Sequence, residues 1–247
     1  MSGHSKWASI KHKKGAADAK RGQIFTKIIK EITVAAKMGG GDEEGNARLR
    51  TAILKAKAAN MPKDNIDKAI KKGTGELEGV EYVELQYEGY GPGGIALLIE
   101  TLTDNKNRTA ADVKSVLGKG GGNLGTPGSV SHLFKREGII CFDPSKYTED
   151  AILEAALEAG AEDVATEDDE IVVKTSPEDF MNVLDALNKA GFEQTSAEIE
   201  RNAMMLKTLD KEKTEKVLKL VERLEELDDV QEVSHDLDVP DDFEMDD

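Results

Sequence analysis

The spacing of apolar residues changes at Gly79, and this change constrains the fold more than any other feature of the chain. Upstream, Ile and Ala recur every three or four residues, which is the spacing of one face of a helix. Glycine and proline divide this pattern into three predicted helices, over residues 21–41, 46–60 and 61–75. Because each helix has a single apolar stripe, we expect the three to pack together as a small bundle.

Downstream of Gly79, alternating segments typical of strands are mixed with helical ones. The first predicted elements are a β-hairpin, a helix and a strand, over residues 80–102, 107–120 and 128–134. Residues 138–200 then spell strand-helix-strand-strand-helix-strand, which is the order of a ferredoxin-like unit. The final predicted helix and strand, over residues 210–227 and 228–237, supply the two elements that the earlier segment lacks.

The sequence therefore predicts an α+β protein in which an N-terminal three-helix bundle precedes two ferredoxin-like α+β domains, one inserted into the other. The predicted boundaries are residues 1–78 for the basic bundle, 79–136 plus 205–240 for the outer α+β domain, 137–204 for the inserted domain and 241–247 for an acidic tail. The discontinuity follows from the order of the predicted elements, because the last helix and strand complete a domain that began before the insertion.

Charge also divides the chain. Residues 1–75 carry 17 Lys or Arg and 7 Asp or Glu, a net charge of +10, whereas residues 76–247 carry a net charge of −26. A basic segment of this kind is typical of polyanion binding, because lysine and arginine neutralise phosphates. The acidic remainder either serves only to keep the chain soluble or also repels nucleic acid and so leaves binding to the bundle. We therefore expect the bundle to bind nucleic acid and the acidic domains to contact protein partners.

The first 22 residues, MSGHSKWASIKHKKGAADAKRG, hold six Lys or Arg and one acid, Asp18. We predict that these basic side chains contact phosphates and that Trp7 or His12 stacks on an exposed base. The alternative is a solvated arm whose tryptophan packs on the bundle. The segment TDNKNRT offers either a second phosphate contact or an ordinary capped helix with solvated charges. The candidate nucleic-acid-binding residues are Lys6, Trp7, Lys11, His12, Lys13, Lys14, Lys20, Arg21, Lys27, Lys30, Arg48, Arg50, Lys106 and Arg108.

The residues give little support to other classes of function. Gly120, Gly122 and Gly125 fit the spacing G-x-G-x-x-G, but they follow a predicted helix and precede a strand, so we expect a flexible loop and not a nucleotide pocket. The four histidines lack metal-ligand spacing, and Cys141 lies in an apolar strand where an inert thiol is the default. We predict no catalytic residue, no metal and no cofactor; a hydrolase that uses Cys141 is the enzymatic alternative.

The single cysteine suits a reducing compartment, and no apolar run approaches the ~20 residues that span a bilayer. These two features predict a cytoplasmic protein that does not contact membranes. They leave its oligomeric state open.

Six segments together resemble the YebC/PmpR family: GHSKWASIKHKKGAADAKRGQIFTKIIKEI, RLRTAI, YEGYGPGG, TDNKNRTAADV, GGNLGTPGSVSHLF and KREGII. The resemblance extends from residue 2 to about residue 240. It implies three domains, one inserted into another, and a DNA-binding transcriptional regulator. The family also includes a mitochondrial translational activator of cytochrome c oxidase subunit I, so the alternative is a ribosome-associated translation factor that binds rRNA. Gly118 and Gly120 depart from the bulkier or polar residues common in the family, which predicts a looser loop here.

Overall fold

The structure is a computed structural model and describes residues 17–167, 169–240 and 243. The chain divides into two compact units, one of which is Phe134–Met204, while the other combines the segments on either side of it. Each unit has helices and an antiparallel sheet, so the predicted α+β class is confirmed. Among the described helices, none has the length and apolar character of a membrane span. The predicted acidic tail, residues 241–247, lies outside the described residues except for Phe243.

Within the described residues the chain forms seven α-helices and ten β-strands. In chain order they are α1 Ala17–Gly39, α2 Ala47–Ala58, α3 Lys63–Gly73, β1 Val83–Tyr90, β2 Ala96–Thr103, α4 Lys106–Lys119, β3 Asn123–Leu124, β4 Phe134–Phe142, α5 Glu149–Glu158, β5 Asp163–Glu167, β6 Glu170–Thr175, α6 Phe180–Lys189, β7 Ser196–Ala203, β8 Lys207–Thr208, α7 Lys211–Glu225, β9 Val230–His235 and β10 Leu237–Asp238.

Helices α1, α2 and α3 pack together through buried Ile and Ala side chains, as their apolar spacing predicts. A buried asparagine joins the end of α1 to the start of α2. The Asn46 side chain accepts a hydrogen bond from the backbone N–H of Leu49 (3.0 Å), and it donates to the carbonyl oxygens of Ala35 and Gly40 (both 2.8 Å). Asn46 thereby caps the first turn of α2 and binds carbonyls on both sides of the C-terminus of α1.

The same unit contains a sheet with the strand order β3-β1-β2-β9, so the β1–β2 hairpin lies at its centre. Apolar residues of β2, β9, α4 and α7 form a core that includes Leu97, Val113, Leu220 and Val233. The short strands β8 and β10 pair in parallel beside it. Helix α7 and strand β9 follow Phe134–Met204 in the chain, but β9 completes the sheet that β1 began and α7 contributes to its core.

The unit Phe134–Met204 has the strand order β5-β6-β4-β7, and all its neighbouring strands are antiparallel. Strands β4 and β5 are both antiparallel to β6, which lies between them, so the β4-α5-β5 segment is a split βαβ unit. Its sheet and helices bury Phe142, Val173 and Phe180 completely. This arrangement is the ferredoxin-like order that the sequence of this segment predicts.

The predicted strand over residues 128–134 is wrong. The segment is a loop that ends in a 3₁₀ turn, and the third strand of this sheet is β3. The buried carboxylate of Glu88 accepts hydrogen bonds from the backbone N–H groups of Gly128 (2.6 Å), Val130 (2.6 Å) and Ser131 (2.8 Å). Burial raises the pKa of Glu88, but these hydrogen bonds outweigh it and hold the pKa below its ordinary value. Bound in this way, the loop cannot extend into a strand.

The glycine loop after α4 is packed tightly, contrary to the expectation of a loose one. A Cβ on Gly122 would lie 2.5 Å from the carbonyl oxygen of Tyr90, and one on Gly120 would lie 2.6 Å from a methyl carbon of Leu220. These glycines allow the loop to approach β1 and α7 closely. Packing explains the G-x-G-x-x-G spacing without a nucleotide.

Candidate nucleic-acid interface

Half of the predicted site lies outside the described residues. The predicted contacts before the first described residue are Lys6, Trp7, Lys11, His12, Lys13 and Lys14. Lys20 lies within α1, but the structure does not describe its side chain. The roles predicted for these seven residues stay predictions.

One face of α1 caps the end of α7. Gln23, Lys27 and Lys30 recur at the spacing of a helical face, and all three donate to backbone carbonyls at or just beyond the C-terminus of α7. The Gln23 amide donates to the Glu226 oxygen (3.1 Å), and the Lys27 ammonium donates to the Glu225 oxygen (2.6 Å). The last carbonyls of a helix lack partners within the helix and carry partial negative charge. A lysine ammonium group donates hydrogen bonds to these carbonyls and offsets their partial negative charge.

Lys30 is only 7% exposed, and its ammonium group is fully engaged. It forms an ion pair with Asp229 (2.7 Å) and donates to the carbonyl oxygens of Asp228 (2.8 Å) and Leu102 (3.4 Å). The ammonium also lies over the ring of Tyr82, 5.6 Å from its centre. Because the side chain is buried against the sheet, the structure gives no support to the predicted contact of Lys30 with nucleic acid, which stays a prediction.

Asp229 is the centre of this cluster. Besides Lys30, its carboxylate accepts hydrogen bonds from the guanidinium of Arg108 (2.8 Å) and the hydroxyls of Thr109 (2.9 Å) and Thr103 (3.3 Å). Burial raises the pKa of Asp229, but the hydrogen bonds from Lys30, Arg108 and Thr109 and the charge of Lys30 outweigh it and lower the pKa to about 2. At neutral pH the carboxylate is therefore ionised and joins α1, α4 and the turn before β9. We call these contacts the Asp229 clamp.

Two further predicted contacts hold structure together. Arg108 bridges Asp229 and Asp104 (2.7 Å), so its charge is compensated even though nearly half of its side chain is exposed. Arg48 pairs with Glu31 (2.7 Å) and with Glu84, which joins α2 to α1 and to β1. A phosphate would have to displace carboxylates already in place at either arginine, so the ion pairs weigh against the predicted contacts, which stay predictions. The same holds for Lys27, whose ammonium caps α7.

The remaining predicted residues are distributed differently. Arg21 is exposed, with its guanidinium 5.3 Å from the ring centre of Phe25. Lys106 is exposed at the first position of α4, and Arg50 is half-buried in α2. Of the described predicted contacts, Arg21 and Lys106 therefore present the most accessible charge.

Sequence reasoning missed the lysines of α3. Lys63, Lys68, Lys71 and Lys72 are all exposed, and none forms an ion pair with a described residue. Their signal was present in the sequence, because the apolar stripe of this helix, which includes Ile66, leaves Lys68, Lys71 and Lys72 on the opposite side, while Lys63 is the first residue of the helix.

A cleft of about 640 Å³ lies beside the Asp229 clamp, between α1, the start of α4 and residues 226–229. Its lining includes the carboxylates of Asp104, Asp112 and Asp228 in addition to the two clamp cations. Because those cations are already paired, the cleft offers no net attraction to a phosphate. Among residues 17–167, 169–240 and 243, no three metal-binding side chains come together.

Cys141 lies on β4, within the core of its unit. Burial raises the pKa of the thiol to about 12. Since the thiolate and not the thiol is the nucleophile, the side chain is unreactive at neutral pH. The geometry thus gives no support to the hydrolase alternative.

Comparisons with known proteins agree with this architecture. Residues 5–76 match the family model described as TACO1/YebC protein N-terminal domain, and residues 82–237 match the one described as TACO1/YebC second and third domain. The chain belongs to the TACO1/YebC family. The predicted resemblance is confirmed, since YebC is the family that the six sequence segments indicate.

Relatives and one solved structure cover nearly the whole chain. A protein of Treponema denticola is 63% identical over 99% of both chains, and one of Borrelia garinii subsp. bavariensis is 60% identical over 98% of this chain and 100% of its own. Both carry the name "Probable transcriptional regulatory protein". The crystal structure of a conserved hypothetical protein from Aquifex aeolicus is 46% identical, with a TM-score of 0.82, and covers 93% of this chain and 95% of its own.

Proposed function

We propose that this protein is a cytoplasmic, non-enzymatic regulator of gene expression that binds nucleic acid, with DNA as its target. The observation that carries the proposal is the separation of charge, +10 over residues 1–75 against −26 over the rest. A polyanion is attracted to residues 1–75 and repelled by the rest, so we expect only residues 1–75 to bind it. The names of the relatives support a role in transcription.

Most of the basic side chains available to a nucleic acid in residues 1–75 are lysines, and this determines the mode of binding. Lysine acts as a point charge toward phosphate, whereas base edges are read mainly by Arg, Asn and Gln. The proposed contacts are therefore with the sugar-phosphate backbone, and they position the protein without reading a sequence. Specificity for particular genes then depends on DNA shape or on protein partners of the acidic domains.

The test compares two triple variants of the full-length protein. In the first, Lys11, Lys13 and Lys14 become Gln, which removes three charges from the predicted basic arm. The control removes three charges from α7 by the same substitution at Lys213, Lys216 and Lys219, which pair with the N-cap Asp210 or with acids of the same helix. Crosslinking in cells, followed by sequencing of bound DNA and RNA, measures the target.

The proposal predicts enrichment of promoter DNA, lost in the arm variant and kept in the control. Enrichment of ribosomal RNA alone would replace DNA with the ribosome as the target and favour the translation-factor alternative. If neither nucleic acid is enriched, or both variants lose binding equally, the proposed role of the basic arm is wrong.

A further inference from the structure

We propose that helix α3 is a second phosphate-binding surface, formed by Lys68, Lys71 and Lys72; this rests on the proposed function and extends it to a site on the folded bundle. The helix buries Ile66 and Ala69 among the three helices of the bundle. The three lysines lie on its opposite side, in the last turn and a half, and all are exposed.

The lysines of α3 differ from those of α1 in the partners of their ammonium groups. On α1, Lys27 and Lys30 donate to the α7 end and to Asp229, and Lys37 pairs with Glu81 (2.7 Å). On α3, none of the three ammonium groups forms an ion pair with a described residue, although Asp64 and Asp67 precede Lys68 and Lys71 by four positions on the same helix. A phosphate arriving there has no ion pair to break, and the release of counterions favours binding.

The spacing of the three lysines suits a phosphate backbone. Residues 68 to 72 span four positions, about 6 Å along a helix axis at 1.5 Å per residue. Phosphates on one strand of a duplex recur every ~3.4 Å along its axis. Three flexible ammonium groups can therefore face two or three successive phosphates. The exposed residues of α3 include no Arg or Gln, so we infer contact with the backbone and not with base edges.

A purely structural role predicts different behaviour. Cations in the last turn of a helix interact favourably with its dipole, as acids do near the first turn, where Asp64 lies. On that account, removing the lysines lowers the melting temperature and leaves nucleic-acid binding unchanged. The two accounts are separated by measuring binding and stability on the same full-length variants.

The test uses fluorescence anisotropy with two probes, a mixed-sequence DNA duplex and a structured RNA hairpin, over a range of salt concentrations. The variant replaces Lys68, Lys71 and Lys72 with Gln, and a partner variant replaces them with Arg, which keeps the charge. The α7 triple Gln variant is the matched control.

We expect the Gln variant to reduce the slope of log K against log salt by about 2 to 3, because each phosphate contact contributes about 0.9 on duplex DNA. The loss should be equal on scrambled sequences, and the Arg variant and the α7 control should keep the wild-type slope. The probe with the larger loss identifies which nucleic acid α3 contacts.

The inference is overturned, and the proposed function stands, if the wild type binds but the α3 Gln variant keeps its slope. If the α7 control loses as much slope as the α3 variant, the inference is overturned together with the charge separation on which the proposed function rests. If the wild type binds neither probe at low salt, the proposed function fails, and the α3 site fails with it. If the triple Gln variant has a lowered melting temperature, the single variant Lys71→Gln replaces it in the test. A reduced salt slope for Lys71→Gln, with a wild-type slope for the Arg variant, supports the site. An unchanged slope for Lys71→Gln overturns it.

Discussion

Replacing Asp229 with alanine removes the acceptor that holds α1 against the sheet. The Asp229 side chain is only 9% exposed and receives hydrogen bonds from Lys30, Arg108 and two threonine hydroxyls. Its loss leaves the ammonium of Lys30 buried without its counter-ion. Removing one partner of a buried ion pair typically costs about 3–5 kcal/mol, and we expect Asp229→Ala to fall in this range.

The lowered pKa of Asp229 gives a second measure of how much the clamp contributes to the free energy of unfolding. The pKa of Asp229 falls from the ordinary 3.8 to about 2, and each pKa unit corresponds to ~1.4 kcal/mol. Ionisation of this one group therefore contributes about 2–3 kcal/mol at neutral pH. A lowered pKa means that this contribution is complete above pH ~4 and is lost as the pH falls through about 2. The stability gap between wild type and Asp229→Asn should accordingly narrow below pH ~4.

Urea unfolding followed by circular dichroism measures these values, because guanidinium salts would screen the ion pair. Asp228→Ala is the control: it deletes an exposed carboxylate but keeps the carbonyl that accepts from Lys30, and it should change stability by less than about 0.5 kcal/mol. The double variant Lys30→Met/Asp229→Leu should lose less than the sum of its two single variants. A loss below about 1 kcal/mol for Asp229→Ala, or strict additivity in the double variant, would refute the clamp as a source of stability.

Three further predictions concern other residues. Glu88→Gln should cost about 1–3 kcal/mol and speed amide hydrogen exchange in residues 128–131, since a neutral amide cannot accept all three backbone N–H groups; unchanged exchange would contradict this. Gly122→Ala should lower the free energy of unfolding in urea by about 1–3 kcal/mol, because its new methyl group would meet backbone. Gly118→Ala should raise it by about 0.4–1 kcal/mol, because no atom lies within 4 Å of its new methyl group. Equal effects of the two substitutions would refute the packing argument. If Trp7 stacks on a base, Trp7→Ala should weaken single-stranded binding by about 1–3 kcal/mol with an unchanged melting temperature, and a lowered melt with unchanged binding would instead make it a packed residue.

Local pattern was sufficient to predict most elements of the fold. The helical spacing of Ile and Ala gives α1, α2 and α3, because burial of one apolar stripe needs only the period of the helix itself. The order of elements over residues 138–200 predicts a split βαβ unit, which the structure contains. The prediction failed over residues 128–134, where Ser and Val alternate as in a strand. There the carboxylate of Glu88, forty residues earlier, binds the backbone N–H groups that a strand would need.

The sequence by itself determined the sign of the charge on each segment, since charge is a property of composition. It could not assign a partner to each charge. Lys27, Lys30, Arg48 and Arg108 are as basic in the sequence as the lysines of α3, yet the folded chain places carboxylates or helix-end carbonyls against them. Lys30 and Asp229 are 199 residues apart and meet only because α7 and β9 return to the sheet begun by β1. Tertiary structure therefore decided which cations stabilise the fold and which remain accessible to a polyanion, because an ion pair depends on distance in space and not on distance along the chain.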